Sequence, residues 1–186
     1  GADKINNEHP VFLRKAFQYA RDKTTKKLEY RDFNNDNNNP VYGWDKKYKA
    51  IYQWLKHAQA SGIPVDAVGI QGHLDIGNIN WLLENNSLIS AVQQYKALGI
   101  EVYITELDIG TAGNAWNSSA ATQQKTDYYN YISEALQGGV SRIYTWGIQD
   151  GYDKGWRTNE HPLPWDENLE KKEAYYGIQQ ALKDNK

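Results

Sequence analysis

The sequence predicts an α/β fold in which parallel strands alternate with covering helices. Short runs rich in β-branched and aromatic residues recur between longer stretches of helical periodicity. The stretches between them are long enough to cross back over a sheet, so successive strands run parallel through right-handed crossovers. The 186 residues suit a single segment, 1–186, with a sizeable core.

The elements follow in order. Pro10 to Asp22 reads as a helix with Phe12, Ala16, Tyr19 and Ala20 on one face. Lys27–Tyr30 is a short strand. Arg31–Asp45 is a polar, asparagine-rich loop punctuated by Pro40 and Gly43. Tyr48, Ile51, Tyr52, Leu55 and Ala58 mark a second helix, closed by Gly62 and Pro64. Asp66–Gln71 is a strand, Ser87–Leu98 a helix ending at Gly99, and Glu101–Leu107 the clearest strand. Ala120–Gln137 is a long helix stopped by Gly138-Gly139, Arg142–Trp146 a strand, and Lys171–Lys183 a terminal helix. Four such strands fit either a small doubly wound sheet or one half of a (β/α)8 barrel. No glycine-rich phosphate loop follows any of them, which counts against a nucleotide-binding sheet.

Composition narrows the function. Net charge is -2 with both signs interspersed, so there is no basic stripe for a nucleic-acid backbone. No apolar run approaches a membrane span. The first ten residues carry no apolar signal core, so an export signal is expected to have been removed or left out. With no cysteine, disulfides and thiolate metal sites are excluded. Seven Trp and fourteen Tyr stand against three Phe. Such side chains offer flat apolar faces with polar edges, as a sugar ring requires, although most of the tyrosines are expected simply to pack helices on strands.

In barrel enzymes the chemistry sits at the C-terminal ends of the strands. Gln71 and His73 end one strand, and Glu106 and Asp108 end the next. Each pair is spaced i, i+2 and so projects to one side. Trp146 ends the last strand and Trp156 lies in the loop beyond. Singly, His73 reads as a hydrogen-bonded core histidine. Four polar residues at two adjacent strand ends are hard to explain as packing, because their burial costs free energy unless they satisfy one another. A hydrolytic metal could use two carboxylates and one His, but no HxH or HExxH spacing supports it; neither metal nor cofactor is expected.

These segments resemble the family 10 glycoside hydrolases, chiefly endo-β-1,4-xylanases, from about Phe12 to the C-terminus. AFQYARD (Ala16–Asp22) resembles the family's helix 4, and KLEYRDFN (Lys27–Asn34) its strand 5. PVDAVGIQGHLD (Pro64–Asp75) resembles strand 6, VYITELDI (Val102–Ile109) the nucleophile strand 7, and TWGIQDGYDKGW (Thr145–Trp156) strand 8 with its loop. The resemblance implies a TIM barrel of which this chain supplies roughly strands 5–8, and a retaining mechanism on xylan or xylo-oligosaccharide. It implies that Glu106 is the nucleophile, that His73 holds it oriented and ionised, and that Asp108 supports the imidazole. Gln71 would contact the sugar before the cleavage point, Trp146 and Trp156 would line that subsite, and Asn34 would lie on the leaving-group side. It also implies a secreted enzyme.

The family's strand 4 motif, usually WDVVNE and ending in the acid/base Glu, is absent. Asn7-Glu8 mimics its last two residues, but Glu8 precedes AFQYARD by too few residues and has no strand before it. Arg31 and Phe33 stand where the family usually has Asn and Tyr, and Glu173 where Pro is frequent. The expectation is therefore a chain active only with a complementary N-terminal half-barrel. The alternative is a non-catalytic half-barrel that binds carbohydrate or self-associates, and another β-1,4-linked glycan stays open as substrate.

Overall fold

The computed structural model describes residues 10–40, 45–151 and 155–186. Its elements are α1 (Val11–Arg21), β1 (Glu29–Asp32), α2 (Asp45–Ala60), β2 (Ala67–Ile70), β3 (His73–Asp75), α3 (Asn80–Leu83), α4 (Ser87–Lys96), β4 (Glu101–Gly110), α5 (Ser118–Gly138), β5 (Arg142–Thr145) and α6 (Glu173–Asp184). All strand pairings are parallel: β1 with β2, β2 and then β3 with β4, and β4 with β5. The segment read as one strand at Asp66–Gln71 thus breaks at Gln71-Gly72 and resumes as β3. Gly72 has φ +80, and a Cβ there would press on Ile104, Leu107 and Tyr131, so the break needs glycine.

A second irregularity lies in β4. Ile70 pairs with Ile104 and His73 with Asp108, so two intervening residues on one strand oppose three on the other. On the other side Ile104 pairs with Ile143 and Leu107 with Thr145, two intervening residues of β4 against one of β5. One extra residue, a β-bulge, therefore sits in β4 between Ile104 and Leu107. Strict alternation would have put Val102, Ile104, Glu106 and Asp108 on one face. The bulge instead keeps Val102, Ile104, Leu107 and Ile109 together in the apolar core and turns Glu106 and Asp108 away from it.

The helices cover the apolar face. Val68, Ile70 and Leu74 of the sheet pack with Ile51 and Leu55 of α2, Leu88, Val92 and Tyr95 of α4, and Tyr128, Tyr131 and Ile132 of α5. Burying one such large side chain stabilises by roughly 1.5–3 kcal/mol. The buried tyrosines keep their hydroxyls bonded: Tyr95 donates to Asn35 O at 2.9 Å, Tyr128 to Pro162 O at 2.7 Å and Tyr131 to Asp36 Oδ2 at 3.2 Å. These tyrosines are structural, as expected for most of them. Helix α5 starts at Asn117, whose side chain accepts from Ala120 N, and ends at Gly139 with φ 99.

The asparagine-rich segment after β1 is part of this interior. Asn35, Asp36, Asn37 and Asn39 are buried. Asn35 Nδ2 donates to Gly69 O at 3.1 Å, and Ser87 Oγ donates to Asn37 Oδ1 at 2.6 Å. Burial pushes the Asp36 carboxyl up to about 6, against the opposing pull of its hydrogen bonds and of Lys47.

The other face of the sheet is polar. Glu29 and Arg31 of β1, Tyr103 of β4 and Arg142 and Tyr144 of β5 stand on it, with the Arg142 guanidinium 5.1 Å from the centre of the Tyr103 ring. Among the described residues β1, β5 and the short β3 each pair with one strand only. No helix among them is long and apolar enough to cross a membrane.

Candidate active site

The site forms where β2–β3 and β4 end. Glu106 N donates to Gln71 O at 2.9 Å and Asp108 N to Gly72 O at 3.2 Å, so the backbone itself sets the two strand ends side by side. From this base His73 stands between two carboxylates. Its Nε2 is 3.3 Å from Glu106 Oε2, and its Nδ1 is 3.1 Å from Asp108 Oδ2. Asp108 is fully buried. Its charge is met by the Trp156 indole N–H, which donates to Oδ2 at 2.7 Å, and by Arg157 Nε, 3.3 Å from Oδ1. Arg157 also reaches Asp75, Glu160 and the carbonyl of Leu74, tying the loop after β5 to the end of β3.

The second oxygen of Glu106 has its own partner. Arg31 Nη1 lies 3.2 Å from Glu106 Oε1, while Arg31 Nε lies 2.9 Å from Glu29 Oε1. The hydrogen bond to Glu29 and then the contact with Glu106 push the Arg31 guanidinium further toward its charged form. Glu106 is thus held from both sides, with 8% of its surface exposed.

Above this carboxylate opens a cleft of about 480 Å³ lined by Phe33, Asn34, Gln71, His73, Glu106, Trp146 and Trp156. The His73 ring is 6.0 Å from that of Trp146, nearly edge-on, and 4.8 Å from that of Trp156. Both indoles stay substantially exposed, Trp146 at 44% and Trp156 at 40%, which leaves their faces open to a ligand. Of the residues singled out by sequence, Glu106, His73, Gln71, Asn34, Trp146 and Trp156 line this one cleft. Asp108 lies beneath it and reaches it through His73. Glu8 lies outside the described residues. Among the described residues Glu106 is the one carboxylate that lines the cleft. No group of three or more His, Asp or Glu side chains among them is arranged to hold a metal ion.

Sequence reasoning missed the neighbours that complete the charge pattern. Arg31 was noted only as a departure from a motif, although the i, i+2 rule applied to β1 would have put Glu29 and Arg31 on the face that carries Glu106. Arg157 gave no signal, since it lies in an irregular loop and reaches Asp108 from far along the chain. An arrangement of one ionisable oxygen pair, an orienting imidazole, a guanidinium and two open indoles can present a carboxylate nucleophile to a ring stacked on tryptophan.

Comparison with known proteins gives the same direction. The model of the family described as glycosyl hydrolase family 10 matches residues 7–181. An endo-1,4-beta-xylanase D of Talaromyces funiculosus is 35% identical over 84% of this chain and 37% of its own. An endo-1,4-beta-xylanase A of Thermoanaerobacterium saccharolyticum is 28% identical, with 91% of this chain and 14% of its own covered. A solved intracellular xylanase from Thermoanaerobacterium saccharolyticum matches with a TM-score of 0.76 at 28% identity, over 91% of this chain and 49% of that one. A mutant of that enzyme has also been solved in complex with xylotetraose, a match of 27% identity over 91% of this chain and 49% of that one, TM-score 0.76. The chain therefore spans about half the length of the solved structures it matches.

Proposed function

The chain belongs to glycosyl hydrolase family 10, and from that premise we propose that it supplies the nucleophile-bearing part of a retaining endo-β-1,4-xylanase. The observation that carries the proposal is Glu106 at the floor of the cleft, with His73 on one oxygen and Arg31 on the other. A carboxylate so fixed meets the orientation that attack on an anomeric carbon demands. In the first step a Glu106 oxygen bonds to that carbon, the glycosidic C–O bond breaks, and the departing oxygen takes a proton from a second carboxyl. In the second, water attacks the same carbon, the bond to Glu106 breaks, and the second carboxyl takes the water's proton.

Retaining enzymes place that second carboxyl about 5–5.5 Å from the first. Since Glu106 is the one described carboxylate lining the cleft, the acid/base is assigned to a segment carrying strands 1–4. Gln71, Trp146 and Trp156 would hold the sugar on the near side of the cleavage point and Asn34 the leaving-group side. A relative's complex with xylotetraose supports xylo-oligosaccharides as ligands. The proposal extends to action outside the cell, where polymeric xylan would be met.

A second reading, a non-catalytic half-barrel that binds carbohydrate or self-associates, is favoured by the open flank. There Leu136 of α5, Ile143 of β5 and Ile178 and Leu182 of α6 line an apolar hollow of about 280 Å³ beside the free edge of β5. A complementary half-barrel or a second copy would cover it. The test is xylan cleavage by the chain alone and after mixing with a segment carrying strands 1–4 and the acid/base Glu. The proposal predicts cleavage only on mixing, with products released first as the β-anomer. A mixture that assembles, binds xylo-oligosaccharide and leaves xylan intact would overturn it in favour of the second reading.

A further inference from the structure

We propose that Arg31 is a positioning residue that sets which half of the double displacement is slow, by holding Glu106 as a good leaving group. The inference rests on Glu106 being the nucleophile. It starts from a row across the polar face of the sheet. Arg31 of β1 is in register with Gly69 of β2, and Gly69 with Tyr103 of β4. A Cβ at position 69 would collide with Glu29 Oε1 and Thr105 Cγ2. The missing side chain is what lets the Glu29–Arg31 pair lean across one strand to touch Glu106 on the next. Glu29 completes the device: its carboxylate 2.9 Å from Nε fixes the fork, so that Nη1 points at Glu106 Oε1.

The electrostatic consequence is opposite for the two steps. On attack, Glu106 exchanges its negative charge for a neutral ester bond to the anomeric carbon, and the guanidinium loses an anionic partner. On hydrolysis, the water oxygen bonds to that carbon, the C–O bond to Glu106 breaks, and its electron pair returns to the carboxylate facing Arg31. The water's proton goes to the second carboxyl. A cation at 3.2 Å favours the state in which Glu106 is anionic. It therefore restrains formation of the glycosyl-enzyme and speeds its breakdown. A purely structural role for Arg31 would slow both steps together. Because the Arg31 side chain is 45% exposed, solvent screening keeps the effect moderate.

The experiment measures both steps with an activated 2-deoxy-2-fluoro-β-xylobioside bearing a dinitrophenolate leaving group, which departs without acid help. The chain is used together with a strand 1–4 segment of a family member. Intact mass follows labelling, and the loss of label is followed after the probe is removed. Removing the charge with Arg31→Asn or Arg31→Gln should leave labelling as fast or faster and lengthen the adduct's lifetime by about tenfold, the scale of one charge-assisted hydrogen bond discounted for exposure. Arg31→Lys, which keeps the charge, should bring the lifetime back toward that of the unaltered chain. Equal lifetimes in all variants, or slower labelling with unchanged lifetime, would overturn the proposal while leaving Glu106 as nucleophile. No adduct on the unaltered chain would overturn the nucleophile assignment and this inference with it.

Discussion

The indole N–H of Trp156 donates to Asp108 Oδ2 at 2.7 Å, joining the loop beyond the last strand to the carboxylate that sits behind His73. One hydrogen bond thus couples a residue that lines the cleft to the charge that orients the imidazole. Arg157, next in the chain, forms an ion pair with the other oxygen of Asp108, its Nε 3.3 Å away. The loop is in this way pinned by the very group it helps to neutralise.

Trp156→Phe keeps an aromatic face and removes the donor. Asp108 is fully buried, so the loss should destabilise the chain by about 1–3 kcal/mol, the cost of leaving a buried charged acceptor short of a partner. Urea unfolding followed by far-UV circular dichroism measures it. An unchanged midpoint would mean that Arg157 and His73 satisfy Asp108 by themselves.

The three residues of the imidazole relay should differ in severity within the assembled enzyme. Glu106→Ala should abolish turnover, since among the described residues no other carboxylate lines the cleft and the second carboxyl is occupied as acid/base. His73→Ala should leave a residual rate, lower by roughly 10²-fold, because it orients Glu106 without bonding to the sugar. Asp108→Asn should be milder still, acting one contact further away. Steady-state rates on an aryl xylobioside rank them, and a His73→Ala enzyme as dead as Glu106→Ala with its fold intact would redraw the roles.

How much of this was legible in the sequence follows from the physics of each part. Strand and helix order could be read from periodicity, and the i, i+2 spacing is what grouped Gln71 with His73 and Glu106 with Asp108. The bulge in β4 could not be read, because an extra residue leaves no mark in a strand whose residues alternate only loosely. Yet it is the bulge that turns Glu106 off the apolar face. The continuation of β3 was missed because Gly72 punctuates it. The burial of Asn35, Asp36 and Asn37 was missed because asparagine runs usually mark solvated turns, and here the partners come from Gly69 and Ser87, far away in sequence.

Asp36 makes the stability of the chain depend on pH. Its folded carboxyl is pushed up from 3.8 to about 6. The folded state therefore binds more protons than the unfolded one between these values, and stability falls as pH rises through that window. Asp36→Asn should then stabilise at pH 7.5 and have little effect at pH 4, with a ceiling of roughly 3 kcal/mol for about two pKa units. Urea midpoints of both proteins at the two pH values check this. A variant equally destabilised at both would show that the Tyr131 contact outweighs the cost of the buried charge.

The central claim, that Glu106 is the carboxylate that bonds to the sugar, is tested most directly by mapping the fluoro-sugar adduct. The assembled enzyme is labelled, digested with trypsin and sequenced by tandem mass spectrometry. The tryptic peptide spanning residues 97–125 carries Glu101, Glu106 and Asp108. The account predicts one adduct, on that peptide and at Glu106, absent from a Glu106→Gln control. An adduct at Asp108, at Glu101 or on the peptide containing Glu8 would contradict it.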